Sequence, residues 1–362
     1  MNAAYSPFKI VHHMDRLEIL KNGGQPNPVH VQLIISDLCN ENCRFCAYRM
    51  DGYTSNQLFG EKRDDGTIDN NPKRFVPLEK CLEILDDCVS MGVQAIQITG
   101  GGEPTVHPDH ARVFQEVLDR GLKLGLVTNG LVLREKVAEQ LLRASWVRFS
   151  VDAGTEQTYS ETRGVGRAAH GKVWRNVREF CGDVNGESPL VGIGFVITRD
   201  NWHEVVLCAE QAKESGARNF RISAVFQPDD ERYFEGWHQA AAELCREAET
   251  LSDDRFRVFN LLGDRISDLK QHRPDYDFCG VQHLTTYIGA DLNVYRCCNT
   301  AYNQRGLIGS IRDRRFKDLW KSVAKEQDFA SFDARGCERC QFNNKNRTIL
   351  YALEGDDHAA FV

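Results

Sequence analysis

Thirteen cysteines carry most of the chemical capacity of this 362-residue chain. Three stand together in Cys39-Asn40-Glu41-Asn42-Cys43-Arg44-Phe45-Cys46, a C-x3-C-x2-C spacing. Three thiolates in one short loop can hold three irons of a [4Fe–4S] cluster, which normally takes four protein ligands, so the fourth iron is left open to a small molecule. A structural zinc site normally closes with a fourth protein ligand, and neither His nor Cys follows closely enough to close this one. A second group comes late: Cys279, Cys297, Cys298, Cys337 and Cys340. Four of these can build another centre, either an iron–sulfur cluster or a four-thiolate zinc site. The remaining five, Cys81, Cys88, Cys181, Cys208 and Cys245, fall in helix-like patterns, where reduced cysteine packs as a small hydrophobe.

The elements around these thiols alternate. Val29 to Ile35 reads as a strand, and the first cysteine loop follows it directly. Arg49 to Arg74 is polar and rich in turn residues, which predicts a long loop; part of it, Tyr48 to Asn70, is a candidate lid. Helices are predicted from Pro77 to about Met91, Pro108 to Gly121, Arg134 to Arg143, Thr155 to Thr162, Lys172 to Phe180, Trp202 to Glu214 and Arg232 to Thr250. Strands are predicted at Ala95 to Thr99, Lys123 to Thr128, Val147 to Val151, Leu190 to Thr198 and Phe220 to Val225. Six strand–helix units imply a parallel sheet with helices outside. Polar residues share a face on several strands: Gln32 with Ser36, Gln97 with Thr99, Arg148 with Ser150 and Asp152, and Arg221 with Ser223. Strands buried on both faces read as continuous apolar runs, so these rows predict a polar cavity on one side.

The charge sum of −7 argues against a general electrostatic grip on nucleic acid or anionic membrane. The first twenty residues lack an apolar stretch and no run reaches 18 apolar residues, so neither a signal peptide nor a membrane span is predicted. Without export the cysteines are expected as free thiols or metal ligands in a cytoplasmic protein.

Cys39, Cys43 and Cys46, with Phe45 before the last, resemble the signature of the radical S-adenosylmethionine (radical SAM) enzymes. Thr99-Gly100-Gly101-Gly102-Glu103-Pro104, directly after the second strand, is similar to the glycine-glycine-glutamate motif of that family. The resemblance covers roughly Val29 to Val225 and implies an α/β fold, a partial (β/α)6 TIM-like barrel. It implies SAM bound at the open iron of a [4Fe–4S] cluster, whose electron cleaves SAM to a radical that takes a substrate hydrogen. It further implies a low-potential electron donor such as flavodoxin or ferredoxin. By the same resemblance Gly101, Gly102 and Glu103 face the methionine moiety, Phe45 the adenine, and Ser150 and Asp152 the ribose, with Asn129 in the same cavity.

Cys279, a predicted hairpin turning at Gly289 to Asn293, a short helix from Phe316 to Val323, and Cys337-x2-Cys340 resemble the SPASM/twitch extension of these enzymes, a β-hairpin plus helix. Only one further cluster fits the cysteines available, with Cys279, Cys297, Cys337 and Cys340 as ligands and Cys298 the alternative to Cys297. This favours the shorter twitch form, and the spacing is similar to that of 2-deoxy-scyllo-inosamine dehydrogenases. The expected organisation is an N-terminal extension (1–28), the catalytic domain (29–251) and the auxiliary-cluster domain (252–362). The expected activity is oxidation of a small polar molecule such as a sugar or aminocyclitol, with Arg221 as a candidate substrate contact. Only about 30 residues precede the cysteine loop, too few for a stable leader-recognition domain. Alternatives are peptide (RiPP) maturation or epimerisation, nucleic-acid modification, and a zinc-binding interaction protein.

Overall fold

The computed structural model describes residues 5–62, 64–133, 135–354 and 358. Its main sheet has ten strands: β1 (His30–Leu33), β2 (Ala95–Ile98), β3 (Lys123–Thr128), β4 (Trp146–Ser150), β5 (Leu190–Ile197), β6 (Asn219–Ala224), β7 (Arg257–Asn260), β8 (Thr285–Ile288), β9 (Asn293–Tyr295) and β10 (Leu307–Ser310). Their spatial order is β10-β9-β8-β1-β2-β3-β4-β5-β6-β7. Every pairing from β8 through β1 to β7 is parallel, while β8–β9 and β9–β10 are antiparallel. Helices link the parallel strands, as the sequence alternation requires. Leu78–Ser90 follows Pro77 and buries Cys81, Ile84, Leu85 and Cys88, a spacing that puts all four on one helix face.

The expected six-unit α/β fold is present, and two features extend it. β7 follows the helix His238–Glu249 and pairs with β6, so a boundary at 251 cuts a strand from the barrel sheet. Asp253, Asp254 and Arg255 just before it dilute the apolar run that would announce a strand. The C-terminal hairpin is also continuous with the barrel, since β8 runs parallel to β1 and covers what would otherwise be an exposed edge. The strand β1 alternates half-buried and fully buried residues, as do β2 and β4. The fully buried set packs under helices. The half-buried set, including Gln32, Gln97, Arg148 and Ser150, shares the opposite face.

The N-terminal segment is tied to the end of the chain. Ile10 and Leu17 join Val29, Val281, Leu284 and Ile349 in a small second core, and Tyr5 packs edge-on against Phe259 of β7, 4.8 Å between centroids. The long loop after the cysteine segment holds a two-stranded ribbon, Glu61–Lys62 with Ile68–Asp69. It is strapped down: Phe59 is fully buried against Tyr302, and the Leu58 amide donates to the Tyr302 carbonyl at 2.6 Å. Among the described residues no helix is long and apolar enough to cross a membrane.

Candidate functional site

The cysteine loop leaves the C-terminal end of β1 and docks on the end of the helix Glu156–Arg163. The amide of Asn42 donates to the Arg163 carbonyl and that of Arg44 to the Thr162 carbonyl, both at 2.9 Å. Helix C-termini leave carbonyls unsatisfied, and here the loop supplies the donors. Gly164 caps the helix in the left-handed region at φ +63°, and a Cβ there would meet the Asn42 carbonyl oxygen at 2.9 Å. On the other side Asn71 accepts from the Cys39 amide at 3.1 Å and from Arg49 at 2.8 Å.

A buried charge network lies beneath the loop. Arg163 donates to Glu41 at 2.6 Å and to Asp152. The Tyr159 hydroxyl donates to Glu41 at 2.8 Å, and the Arg163 guanidinium lies 5.8 Å from the Phe45 ring centroid. Asp152, with φ +59°, also accepts from the Val196 amide at 2.6 Å. Both of its oxygens therefore take part in this network, and Asp152 positions Arg163. The Glu103 carboxylate accepts from the Thr105 amide and hydroxyl, the Thr128 hydroxyl and the Asn129 amide, at 2.7–3.0 Å. It ties the glycine run to β3. Asn129 extends this tie, donating to Asn40 in the cysteine loop at 2.7 Å. The glycines themselves touch backbone: a Cβ on Gly102 would stand 2.1 Å from the Leu38 carbonyl oxygen. Ser150 remains half-buried at the end of β4.

The three thiols are neighbours, and the surroundings of Cys39 and Cys43 oppose proton loss. Burial, reinforced by the charge of Glu103, pushes Cys39 up to about 11. Burial raises Cys43 further, with Glu41, Cys46 and Cys39 adding to the rise against the lowering effect of Arg163. Thiolates form in such a place only against a cation, and metal ligation deprotonates a coordinating thiol outright.

The late cysteines also converge. Burial raises the Cys279 thiol, and Cys297, Cys340 and Cys337 raise it further. Cys298 lies apart from them in its bonding, accepting from Gln341 at 3.0 Å. It neighbours Arg265 and Lys345. Adjacent residues after β9 thus face opposite ways, with Cys297 toward the other three thiols. Tyr276 and Asn343 brace this group: the tyrosine hydroxyl lies 3.9 Å from Cys340 Sγ and donates to Asn343 at 2.8 Å.

Both groups offer sulfur alone, the donor set of iron–sulfur clusters, and four thiolates also suit a structural zinc. Cys81, Cys88, Cys208 and Cys245 are buried in the core and Cys181 packs at its edge; all thirteen cysteines are free thiols. A surface cleft of about 540 Å³ beside Gln25, His283 and Phe332 contains none of the thiols.

Arg221 of β6 points into the barrel, its guanidinium 5.3 Å from the Tyr5 ring. The sequence did not single out Glu41, Arg163 or Tyr159 as site residues. Glu41 sits between two ligand candidates, but its partner is 122 residues away, and no local pattern joins them.

Comparison with known proteins places both regions. The profile of the radical SAM superfamily matches residues 33–212, and that of the SPASM iron–sulfur cluster-binding domain matches 279–341. A tungsten-containing aldehyde ferredoxin oxidoreductase cofactor-modifying protein of Pyrococcus furiosus is 22% identical over 316 residues, 81% of each chain. The mycofactocin maturase MftC of Mycobacterium ulcerans is 26% identical over 279 residues, 72% of this chain and 69% of that one. Among solved structures, SuiB of Streptococcus suis, bound to its precursor peptide SuiA, superposes with a TM-score of 0.63 at 14% identity, covering 91% of this chain and 73% of that one. The two sequence relatives are a cofactor-modifying protein and a maturase, so the likeness is to the radical SAM and SPASM families and not specifically to 2-deoxy-scyllo-inosamine dehydrogenase. A four-cysteine spacing defines a cluster and carries no information about substrate.

Proposed function

We propose, from the premise that this chain is a radical SAM enzyme with a C-terminal SPASM domain, that it matures a peptide. The observation that carries this reading is the alignment with mycofactocin maturase, which spans 72% of the chain. The fold shared with SuiB is compatible with it. The neighbouring charges of Arg148 and Arg221 would disfavour the ammonium group of an aminocyclitol bound beside them.

The residues have separable roles. Cys39, Cys43 and Cys46 would hold the SAM-binding [4Fe–4S] cluster, and Cys279, Cys297, Cys337 and Cys340 one auxiliary cluster. Bound there, cluster and SAM would supply radical chemistry, the removal of a hydrogen atom from the substrate. Gly101 and Gly102 would lie beside the methionine moiety, and Phe45, Asn129 and Ser150 would border the nucleoside. Glu103, Asp152, Glu41 and Arg163 position these groups.

The test is anaerobic. Reconstituted protein should bind about eight irons per chain. Incubated with SAM, a reductant and candidate precursor peptides encoded beside its gene, it should change a peptide's mass in step with 5′-deoxyadenosine formation. Deuterium passing to 5′-deoxyadenosine from a labelled sugar or aminocyclitol, with every peptide unchanged, would replace this reading. Zinc bound without iron would remove the enzyme reading altogether. Cys43→Ala should abolish SAM cleavage, whereas Cys337→Ala should retain cleavage and lose peptide turnover.

A further inference from the structure

Two arginines approach each other inside the barrel with no acid between them. Arg148 of β4 lies against Gly194 of β5, its Cδ 3.5 Å from where a Cβ would stand. Gly194 is the register partner of Arg221 on β6. The missing side chain on β5 therefore lets the guanidinium groups face one another across that strand. Arg148 lies 5.8 Å from the Trp146 ring, Arg221 5.3 Å from the Tyr5 ring, and Arg265 of the helix Leu262–Gln271 4.6 Å from the Phe226 ring. Among the described residues neither Arg148 nor Arg221 has an ion pair, and Arg221 Nε is buried without a partner. Arg265 has only Asp268, at 3.6 Å, and Gln341 Oε1, at 3.1 Å.

Burial, and next the neighbouring Arg148, push the Arg221 guanidinium down to about 9. It thus stays largely charged at neutral pH. Keeping such a charge enclosed and unpaired is costly, and the cost is relieved when a ligand brings the opposite charge. Stacking on aromatic rings uses the faces of the guanidinium groups and leaves their N–H edges to take an acceptor in plane. A planar two-oxygen acceptor suits that fork.

We propose that Arg221 and Arg148, with Arg265 beside them, hold a carboxylate of the substrate inside the barrel, so that the peptide presents an acidic side chain or its own C-terminus there. This rests on the peptide reading above, but the site can be tested without turnover.

The probes are N-acetylglutamate α-amide, N-acetylglycine, the neutral N-acetylglutamine amide and inorganic phosphate. Each is added at equal ionic strength to anaerobically reconstituted full-length protein, and the melting temperature is followed. Both carboxylates should raise it in a saturable way, and the neutral amide should leave it unchanged. R221Q and R148Q should each lose the carboxylate response while melting no lower than the parent, because each removes an uncompensated charge. R221K, which keeps charge and loses the fork, should weaken the carboxylates by about tenfold. An equal response to the neutral amide, a full carboxylate response in R221Q, or a response to phosphate alone would overturn the proposal. Carboxylate binding in an enzyme that modifies no peptide would retire the peptide reading and leave this site standing. Turnover of an uncharged, C-terminally amidated peptide without any carboxylate response would do the reverse.

Discussion

Arg163 is the residue on which the cysteine loop most depends. It neutralises Glu41 and Asp152 in a setting that solvent barely enters, with Arg163 and Asp152 only 3% and 2% exposed. Removing one partner of a buried ion pair leaves an uncompensated charge and costs about 3–5 kcal/mol. Arg163→Gln should therefore lower stability by about that amount and reduce iron at the first site, measured by melting and anaerobic iron analysis; unchanged iron content would mean that the network does not position the loop. The two adjacent late cysteines offer a sharper contrast. Cys297 neighbours Cys279, Cys337 and Cys340, whereas Cys298 accepts from Gln341. Cys297→Ser should reduce iron from about eight to about four atoms per chain, and Cys298→Ser should leave it near eight. The opposite pattern would exchange their roles.

At the scale of elements, function is assembled where strand ends meet loops. The helix Glu156–Arg163 receives the cysteine loop on its last carbonyls, so its capping geometry sets the position of three thiols. Gly164→Ala should cost at least about 1 kcal/mol, because alanine disfavours the left-handed conformation and its Cβ would press on Asn42. The measurement is the loss of melting temperature together with slower SAM cleavage; a change in stability alone would separate the cap from the site. The glycine run and β3 are joined the same way, by Glu103 and Asn129. Asn129-Gly130 looks like an ordinary turn in sequence, and its link to Asn40 becomes visible only once β2, β3 and the loop after β1 lie side by side.

Across the whole molecule, the sheet that lines the barrel continues into the auxiliary domain through β8. Histidines on both sides of that junction are held neutral. Burial, then Lys345 and Lys9, lower His30 from 6.5 to about 4, and burial, then Lys325 and Arg296, lower His283 from 6.5 to about 3. The unfolded chain takes up these protons near pH 6.5, before the folded one does. Their contribution is therefore complete above pH 6.5 and is lost as pH falls toward 4 and 3. Melting temperature should drop by several degrees across that window. His283→Phe, which preserves a ring to stack on Phe278, should flatten the drop; an unchanged slope would assign the acid sensitivity to other groups.

Local spacing and periodicity were enough to determine the cysteine loop, the alternating strands and helices and the polar strand faces, and to flag the late cysteines as a second group. These are short-range properties: a loop of eight residues can be recognised as a ligand loop, and strand faces repeat every second residue. The three-dimensional fold alone decided which thiol of Cys297 and Cys298 joins the others, that Glu103 and Asp152 hold neighbouring elements together, and that β7 and β8 extend the barrel sheet. It also brought Arg163 to Glu41 and Arg148 to Arg221, partners separated by 122 and 73 positions in the chain. Pairings at such separation depend on the register of intervening parallel strands and on what burial leaves unpaired, and neither quantity is written in any local stretch of sequence.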